Sequence, residues 1–208
     1  MDPHPRGDRR AAPEVILTEA FAPWVVLTVG SLHLGRRVGS PGWGLATASG
    51  LGLVPQAAIA WRVRRKALSD HHVTRREDRP LVIAGIAGSV VTLMVAQRRR
   101  EAPPELRRMT RAALVALGVA GAATTRVKVS FHIAVLAGVI AVLARELSHR
   151  YWRLLTLIPP VAWARVRIDH HTPVETALGG VIGAVCGYWG GGRRPAGSDP
   201  DTRGATID

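Results

Sequence analysis

The segment from Ala164 to Glu175, ARVRIDHHTPVE, concentrates groups that can move protons and bind anions. Two arginines, an aspartate, two adjacent histidines and a glutamate stand here between two apolar stretches. An imidazole changes its protonation state near neutral pH and can attack phosphorus. Arginine presents a planar fork of N–H donors that matches phosphate oxygens. The segment therefore predicts acid–base or phosphoryl-transfer chemistry at a junction between two helices.

The end of this segment also has the pattern of a helix start. Thr172 is expected to cap the helix, and Pro173 is expected at its first position. Backbone N–H groups at such a start favour a phosphate. Glu175, three residues after Thr172, is placed to close a capping box with it, which leaves a further role for this carboxylate open.

Two further polar stretches carry groups of the same kind. Residues 66–80 read KALSDHHVTRREDRP and contain His72 and Arg79. Residues 126–132 read RVKVSFH and contribute the hydroxyl of Ser130 and the imidazole of His132. Together with the first segment they supply phosphate donors, a nucleophile and a proton donor.

Apolar blocks separate these polar stretches and must position them. Hydrophobic residues make up 47% of the chain, yet its formal net charge is +13, because the arginines lie between the blocks. Such segregation is typical of membrane proteins with several spans. We expect an all-α integral membrane bundle of about six to seven transmembrane helices. The apolar segments are roughly 14–34, 43–61, 81–97, 112–127, 133–147, 152–164 and 174–190.

Counting segments places the polar stretches relative to one another. They follow the second, fourth and sixth apolar segments. If every segment crosses the bilayer, two crossings separate each stretch from the next. All three stretches are then expected on the same membrane face. We also expect Pro159 and Pro160 to bend the sixth segment.

Composition narrows the class of protein. Basic residues are spread over short connections, which favours lipid headgroups or a phosphorylated substrate over nucleic acid. The 26 arginines against two lysines are typical of a GC-rich bacterial genome. The single cysteine excludes an intrachain disulfide and a zinc–cysteine cluster. We predict a multi-pass cell-membrane protein with a disordered basic arm (1–13), one transmembrane domain (14–190) and a disordered tail (191–208).

The order of the three motifs resembles the type 2 phosphatidic acid phosphatase (PAP2) superfamily. That family's motifs are commonly written K-x6-R-P, P-S-G-H and S-R-x5-H-x3-D. The chain reads H-x6-R-P from His72, V-S-F-H from Val129 and A-R-x5-H-x3-E from Ala164. The resemblance covers about residues 66–190, and the order and placement of the motifs make it more specific than any motif alone.

The resemblance implies a fold, an activity and a role for each matched residue. The fold would be a helical bundle, and the enzyme would be a metal-independent, cofactor-free phosphatase. His171 would attack phosphorus and form a phosphohistidine, Glu175 would orient His171, and His132 would protonate the leaving group. The substrate within the bilayer would be a phosphatidic acid, a phosphatidylglycerol phosphate or a polyprenyl phosphate or diphosphate. The phosphate-binding residues would be Arg79, Arg165, Ser130 and His72.

The chain departs from the family pattern at several positions. His72 replaces a lysine, which makes one phosphate contact shorter and dependent on pH. Phe131 puts a bulky ring where a glycine lets the backbone approach phosphate. Glu175 is one methylene longer than the usual aspartate. Val129 and Ala164 are replacements that we expect to be tolerated.

Other functions also fit the residues. A non-enzymatic membrane protein, such as a transporter or a bundle subunit, would use the arginines only to neutralise headgroups. A lipid phosphotransferase would pass the phosphoryl group to an acceptor other than water. The same cradle could hold vanadate, as in haloperoxidases of the superfamily. A metal site at His170 and His171 is disfavoured by the surrounding arginines and by the lack of a zinc spacing.

Overall fold

The computed structural model describes residues 13–64, 79–168 and 170–192, and these ranges are helical without any β-strand. The predicted all-α class is therefore confirmed for this part of the chain. A π-helical segment, Ser49–Leu53, joins α3 to α4, and a 3₁₀ helix, His149–Leu157, precedes α8. The α-helices are α1 (Pro13–Ala20), α2 (Pro23–Arg37), α3 (Pro41–Ala48), α4 (Val54–Arg64), α5 (Arg79–Arg99), α6 (Pro104–Ala123), α7 (Phe131–Glu146), α8 (Ile158–Arg167) and α9 (Pro173–Trp189).

Proline marks where many of these helices begin. Pro23, Pro41, Pro104 and Pro173 each stand at the start of a helix. The first helical residues have no intrahelical acceptor for their N–H groups, so a residue without an N–H and with φ near −65° fits there. The prolines of the sixth apolar segment follow the same rule. The segment changes from 3₁₀ to α-helix at Ile158, directly before them.

Helix α7 lies at the centre of the fold. Its apolar residues point in every direction, and α9, α2, α6 and the 3₁₀ helix pack around it. Ile133, Ile140 and Leu143 are almost entirely removed from solvent. A helix that is apolar on all sides is the one a bundle buries, so the position of α7 follows from its sequence.

Glycines bring α9 against α7 at unusually close range. A methyl group added at Gly183 or Gly187 would overlap the backbone of α7 at Ala134 or Gly138. The same change at Gly179 would press on the carbonyl of Ser130. Small residues four apart let two helix backbones approach closely. This approach sets the distance between the starts of α7 and α9, where the polar motifs lie.

The seven predicted apolar segments all fall on helices, but the helices are more broken than expected. The first segment is split into α1 and α2, which meet at an angle of 47°. In the described ranges, no individual helix has both the length and the apolar character needed to cross a membrane, and only the bent α1–α2 pair meets the criterion together. The membrane-spanning part of the expectation stays a prediction.

Most of the predicted arm and tail lies outside the described residues. Pro13, assigned to the arm, instead begins α1. Gly191 and Gly192, assigned to the tail, form a turn after α9. Gly192 has a positive φ of 86°, a conformation that favours glycine.

An ion-pair cluster stabilises the far end of α7. Arg108 donates two hydrogen bonds to Glu146, from Nε at 3.0 Å and from Nη2 at 2.7 Å. Glu105 lies 3.7 Å from the same guanidinium. Each buried charge here has a partner of opposite sign, which is what a buried ion pair requires.

Candidate active site

The start of α9 forms the capping box that its sequence predicts. The backbone N–H of Glu175 donates to the Thr172 hydroxyl at 3.3 Å, and the backbone N–H of Thr172 donates to Glu175 Oε2 at 3.1 Å. Pro173 stands at the first helical position. The two reciprocal bonds hold the residue before the cap, His171, at a defined place relative to α9.

Glu175 also contacts the His171 ring, so the carboxylate has both of the roles left open by the sequence. The distance from His171 Nδ1 to Glu175 Oε2 is 3.2 Å. In the tautomer that carries hydrogen on Nδ1, this nitrogen donates to the carboxylate and Nε2 keeps its lone pair. The His171 side chain is 8% exposed. A histidine oriented in this way has the arrangement of a nitrogen nucleophile.

The surroundings of His171 favour its neutral form. Burial and the nearby positive charge of Arg165 lower the pKa of His171 to about 4, although the hydrogen bond to Glu175 acts in the opposite direction. Lys128 contributes a further positive charge that lowers the pKa. Near neutral pH the imidazole therefore carries the lone pair that a nucleophile needs.

Arg165 stands in the last turn of α8 and has an unusual environment. Its carbonyl accepts the backbone N–H groups of His170 and His171, both at 3.3 Å, which folds the loop back over the helix end. The residue is only 4% exposed. Of the protein atoms that the structure describes, none accepts a hydrogen bond from its Nε or Nη1. A buried guanidinium with two unused donors is costly unless an anion binds there.

Ser130 brings the polar stretch 126–132 against the segment 164–175. Its backbone N–H donates to the carbonyl of Glu175 at 3.3 Å, which joins the starts of α7 and α9. It is fully buried, and its Oγ has no hydrogen-bond partner in the described ranges. Ser130 is the residue before α7 but does not cap it with its side chain. The hydroxyl is therefore another buried polar group whose hydrogen-bonding capacity is unused.

His132 and Phe131 stand in the first turn of α7. Both line one cavity of about 510 Å³ together with Arg165 and His171. His132 is 7% exposed. The proposed acid and nucleophile thus face the same space, although the chain separates them by dozens of residues. Phe131 is half-buried and lines the cavity. The family motif has a glycine at this position, which would leave the backbone uncovered.

The two replacements expected to be tolerated are core positions. Val129 is 2% exposed and Ala164 is fully buried. Neither side chain needs a polar partner, so an apolar residue fits at each position.

Lys128 is a site residue that the sequence analysis did not select. Its Nζ donates to the carbonyl of His170, and it lines the same cavity as His171. His170, interpreted from the sequence as a loop neighbour, also lines the cavity, as does Glu19 of α1. The available signal was the rarity of lysine, since Lys128 is one of two in the chain and stands directly before the V-S-F-H motif.

The polar stretch 66–80 contributes least to the observed geometry. His72 and Asp169 lie outside the described residues. Arg79 is the first residue of α5, and its side chain lies outside the described part as well. Their predicted roles stay predictions. Across the ranges that the structure describes, no three His, Cys, Asp or Glu side chains group closely enough to hold a metal ion.

The cavity has two chemically different parts. At one end, Lys128 and Arg165 place positive charge beside the imidazole of His171, and the carboxylate of Glu19 also lines the cavity. The remaining wall is mainly apolar and comes from α2, the π segment and α4 to α7. A pocket that is mostly apolar with a few converging polar groups is typical of a small-molecule site. This pocket fits an amphiphile with an anionic head.

Comparisons of the chain with protein-family models, with curated proteins and with solved structures found no match. The likeness to the type 2 phosphatidic acid phosphatases therefore rests on the motifs quoted above and on the arrangement of their residues around one cavity.

Proposed function

We propose that the protein is a membrane phosphatase that hydrolyses a lipid phosphate or diphosphate through a phosphohistidine. One observation carries the proposal. A buried arginine with two unused donors, Arg165, lines the same cavity as a histidine oriented by a carboxylate, His171. Forked donors beside a neutral nucleophile are what phosphoryl transfer needs.

The unused donors favour a ligand with several acceptor oxygens. Nε and Nη1 of Arg165 and the hydroxyl of Ser130 are buried without a partner among the described atoms. Leaving such groups unpaired costs roughly 1–3 kcal/mol each, and more for a charged group. A tetrahedral anion with three non-bridging oxygens can accept from all of them at once. The charge of the guanidinium then also balances the charge of the phosphoryl group.

The proposed reaction has two steps. In the first, Nε2 of His171 attacks phosphorus, the bond from phosphorus to the leaving oxygen breaks, and His132 gives a proton to that oxygen. In the second, water attacks the phosphohistidine, the phosphorus–nitrogen bond breaks, and His132 takes a proton from the water. Each group returns to its starting state, so the chain's own residues suffice for both steps.

The form of the cavity supports a lipid as the substrate. Its apolar part is built from residues such as Leu27, Ile59 and Val90. A water-soluble phosphate ester would leave this apolar surface exposed to water, whereas a hydrocarbon chain would cover it. Burial of apolar area contributes about 25 cal/mol per Å². The chemistry of the wall thus favours the same substrate class as the sequence motifs.

The experiment measures inorganic phosphate released by the purified protein in detergent micelles that contain lipid phosphates and a metal chelator. We expect wild type to release phosphate and His171→Ala to release none. His149→Ala is the matched control, because His149 is exposed at the start of the 3₁₀ helix, away from the cavity. An acid-labile phosphoryl group on His171, detected by mass spectrometry after rapid quenching, would establish the intermediate.

Four results would contradict the proposal. Activity retained in His171→Ala would exclude the nucleophile. Activity that requires an added divalent cation would exclude the metal-free mechanism. No release from any lipid phosphate would favour a non-enzymatic membrane protein, whereas transfer to an added alcohol faster than to water would indicate a phosphotransferase.

A further inference from the structure

Lys128 is an exposed cation that lines the cavity of the candidate active site. It lies in the loop between α6 and α7, two residues before Ser130. The sequence motifs assign it no role, yet Arg165 and His171 line the same cavity. A lysine among groups that are suited to a phosphoryl anion is a candidate for a further contact with that anion.

A hydrogen bond fixes the place of the Lys128 ammonium. Its Nζ donates to the backbone carbonyl of His170, the residue before His171. The N–H groups of His170 and His171 in turn bind the carbonyl of Arg165. The ammonium is therefore held at the turn that carries the proposed nucleophile, and its charge helps to lower the pKa of the His171 ring.

The ammonium keeps donors that the fold does not use. A lysine ammonium has three N–H donors, and the His170 carbonyl accepts from one of them. Within the ranges that the structure describes, no carboxylate forms an ion pair with Lys128. Water satisfies such donors on an exposed side chain, and a phosphoryl oxygen that enters the cavity can take its place.

The balance of charge in the cavity favours the same role. A phosphomonoester carries roughly 1.5 to 2 negative charges at pH 7. Arg165 supplies one positive charge, but the carboxylate of Glu19 attracts it and lines the same cavity. Arg165 alone therefore leaves part of the phosphoryl charge without compensation, and the ammonium of Lys128 supplies a second positive charge.

We propose that Lys128 binds a non-bridging oxygen of the phosphoryl group, with its ammonium held in place by the carbonyl of His170. The inference rests on the proposed function for the identity of the anion. It adds to Arg165 and Ser130 a phosphate-binding residue outside the three motifs. Water screens an exposed ammonium more than a buried guanidinium, so its effect on binding is smaller than that of Arg165.

Chemical replacement of the ammonium tests the inference without catalysis. Lys128→Cys is combined with Cys186→Ala, so that position 128 carries the single thiol of the chain. Alkylation with 2-bromoethylamine rebuilds an ammonium at the same number of bonds from the backbone, whereas iodoacetamide adds a neutral amide. The Kd of orthovanadate is measured by calorimetry in detergent micelles before and after each reaction, with the Cys186→Ala protein as reference.

The Kd of orthovanadate should follow the charge at position 128. We expect Lys128→Cys to raise it about tenfold, which is the lower range for a hydrogen bond to a charged group. The ammonium-bearing product should return to within about threefold of the reference, and the amide product should stay weak. Lys128→Gln keeps an N–H donor for the His170 carbonyl but has no charge, so it should bind orthovanadate as weakly as Lys128→Cys.

Arg126→Cys, again combined with Cys186→Ala, is the matched control. Arg126 is exposed in the same loop and does not line the cavity. The Kd of this variant should therefore stay near the reference through both reactions. Thermal denaturation of each alkylated protein shows that it is folded, so that a change in Kd reports the site.

The outcomes separate the inference from the proposed function. An unchanged Kd in Lys128→Cys, recovery that is as complete with the neutral amide, or a loss that the ammonium does not restore would each overturn the inference. Phosphate release from a lipid phosphate alongside any of these results would leave the phosphatase intact. Binding that depends on the ammonium, with no release from any lipid phosphate, would support the role of Lys128 and overturn the phosphatase.

Discussion

Arg108 and Arg165 lie near opposite ends of α7 and show two ways of burying a guanidinium. Arg108 pairs with Glu146, the last residue of α7, through two hydrogen bonds of 3.0 and 2.7 Å. Arg165 shares a cavity with His132, in the first turn of α7, and two of its nitrogens have no acceptor among the described residues. The side chain of Arg108 is 12% exposed, and Arg165 as a residue is 4% exposed.

In our proposal, Arg108 carries a structural charge and Arg165 carries a functional one. A buried ion pair whose donors and acceptors are matched contributes to the folded state, and removing one partner leaves the other uncompensated. Burial of the Arg165 guanidinium outweighs the attraction of Glu19 and lowers the pKa of Arg165 to about 10, so this charge lowers stability unless a ligand offsets its burial. The Arg108 end holds the bundle together, whereas we propose that the Arg165 end binds an anion.

The largest expected effect is on activity at the Arg165 end. Arg165→Met should lower kcat/KM for phosphate release about a thousandfold, since the guanidinium would stabilise charge on the transferred phosphoryl group. Its free energy of unfolding should not fall, because the cost of burying the guanidinium outweighs its attraction to the nearby carboxylate of Glu19. Arg167→Met is the control, since Arg167 is exposed two positions further along the same helix. Equal losses of kcat/KM in Arg165→Met and Arg167→Met would show that the buried guanidinium has no special role.

The second effect is on stability at the Arg108 end. Arg108→Met should lower the free energy of unfolding by about 3 kcal/mol, because the buried Glu146 loses its hydrogen-bonded partner and keeps only Arg145, whose Nε lies 3.8 Å from Oε1. The activity of each folded molecule should stay near that of wild type. Thermal denaturation in detergent measures the loss. The double variant Arg108→Met, Glu146→Leu should recover much of it, and a double variant as unstable as the single one would contradict the pairing argument.

A smaller effect should follow from adding an anion. Orthovanadate at about 100 times its Kd should raise the free energy of unfolding by about 2.7 kcal/mol, since it binds the folded state alone. The rise in Tm should persist in Arg108→Met and disappear in Arg165→Met. A rise that survives in Arg165→Met would place the anion elsewhere.

The smallest expected effect is the dependence of activity and stability on pH. The pKa of His171 is lowered to about 4, so activity should be independent of this group above about pH 5 and fall below pH 4. Between pH 6.5 and 4 the folded state binds fewer protons at His171 than the unfolded state. Stability from this group is therefore full above pH 6.5 and is lost as the pH falls through 4.

Lys128 provides a variant for that pH profile. Its charge helps to lower the pKa of His171, so Lys128→Met should move the acid limb of the activity profile upward by less than one unit. Arg126→Met is the control, since Arg126 is exposed in the same loop and is absent from the cavity wall. Identical profiles for wild type and Lys128→Met would exclude an electrostatic role for the lysine at this site.

Local patterns in the chain were sufficient to predict most elements of the fold. The seven apolar segments are helical, and the Thr172–Glu175 capping box forms as expected. These features depend on groups within four residues of each other, whose hydrogen bonds do not need the rest of the molecule. The break between α1 and α2 was not foreseen although Pro23 marks it locally, whereas the π segment at Ser49–Leu53 depends on how its glycines pack against neighbouring helices.

The candidate site also combines features that the local sequence predicts with features that depend on helix packing. Residue types and order identified His171, Glu175 and Arg165, but they carried no information about burial or about the partners of each group. Packing of α9 on α7 at Gly179 and Gly183 joins Ser130 to Glu175, and the bundle surrounds a cavity that includes Lys128. The unused donors of Arg165 and the extent of the cavity arise from contacts between helices far apart in the chain. Such contacts depend on the shapes of several surfaces together, which a linear pattern of residue types does not encode.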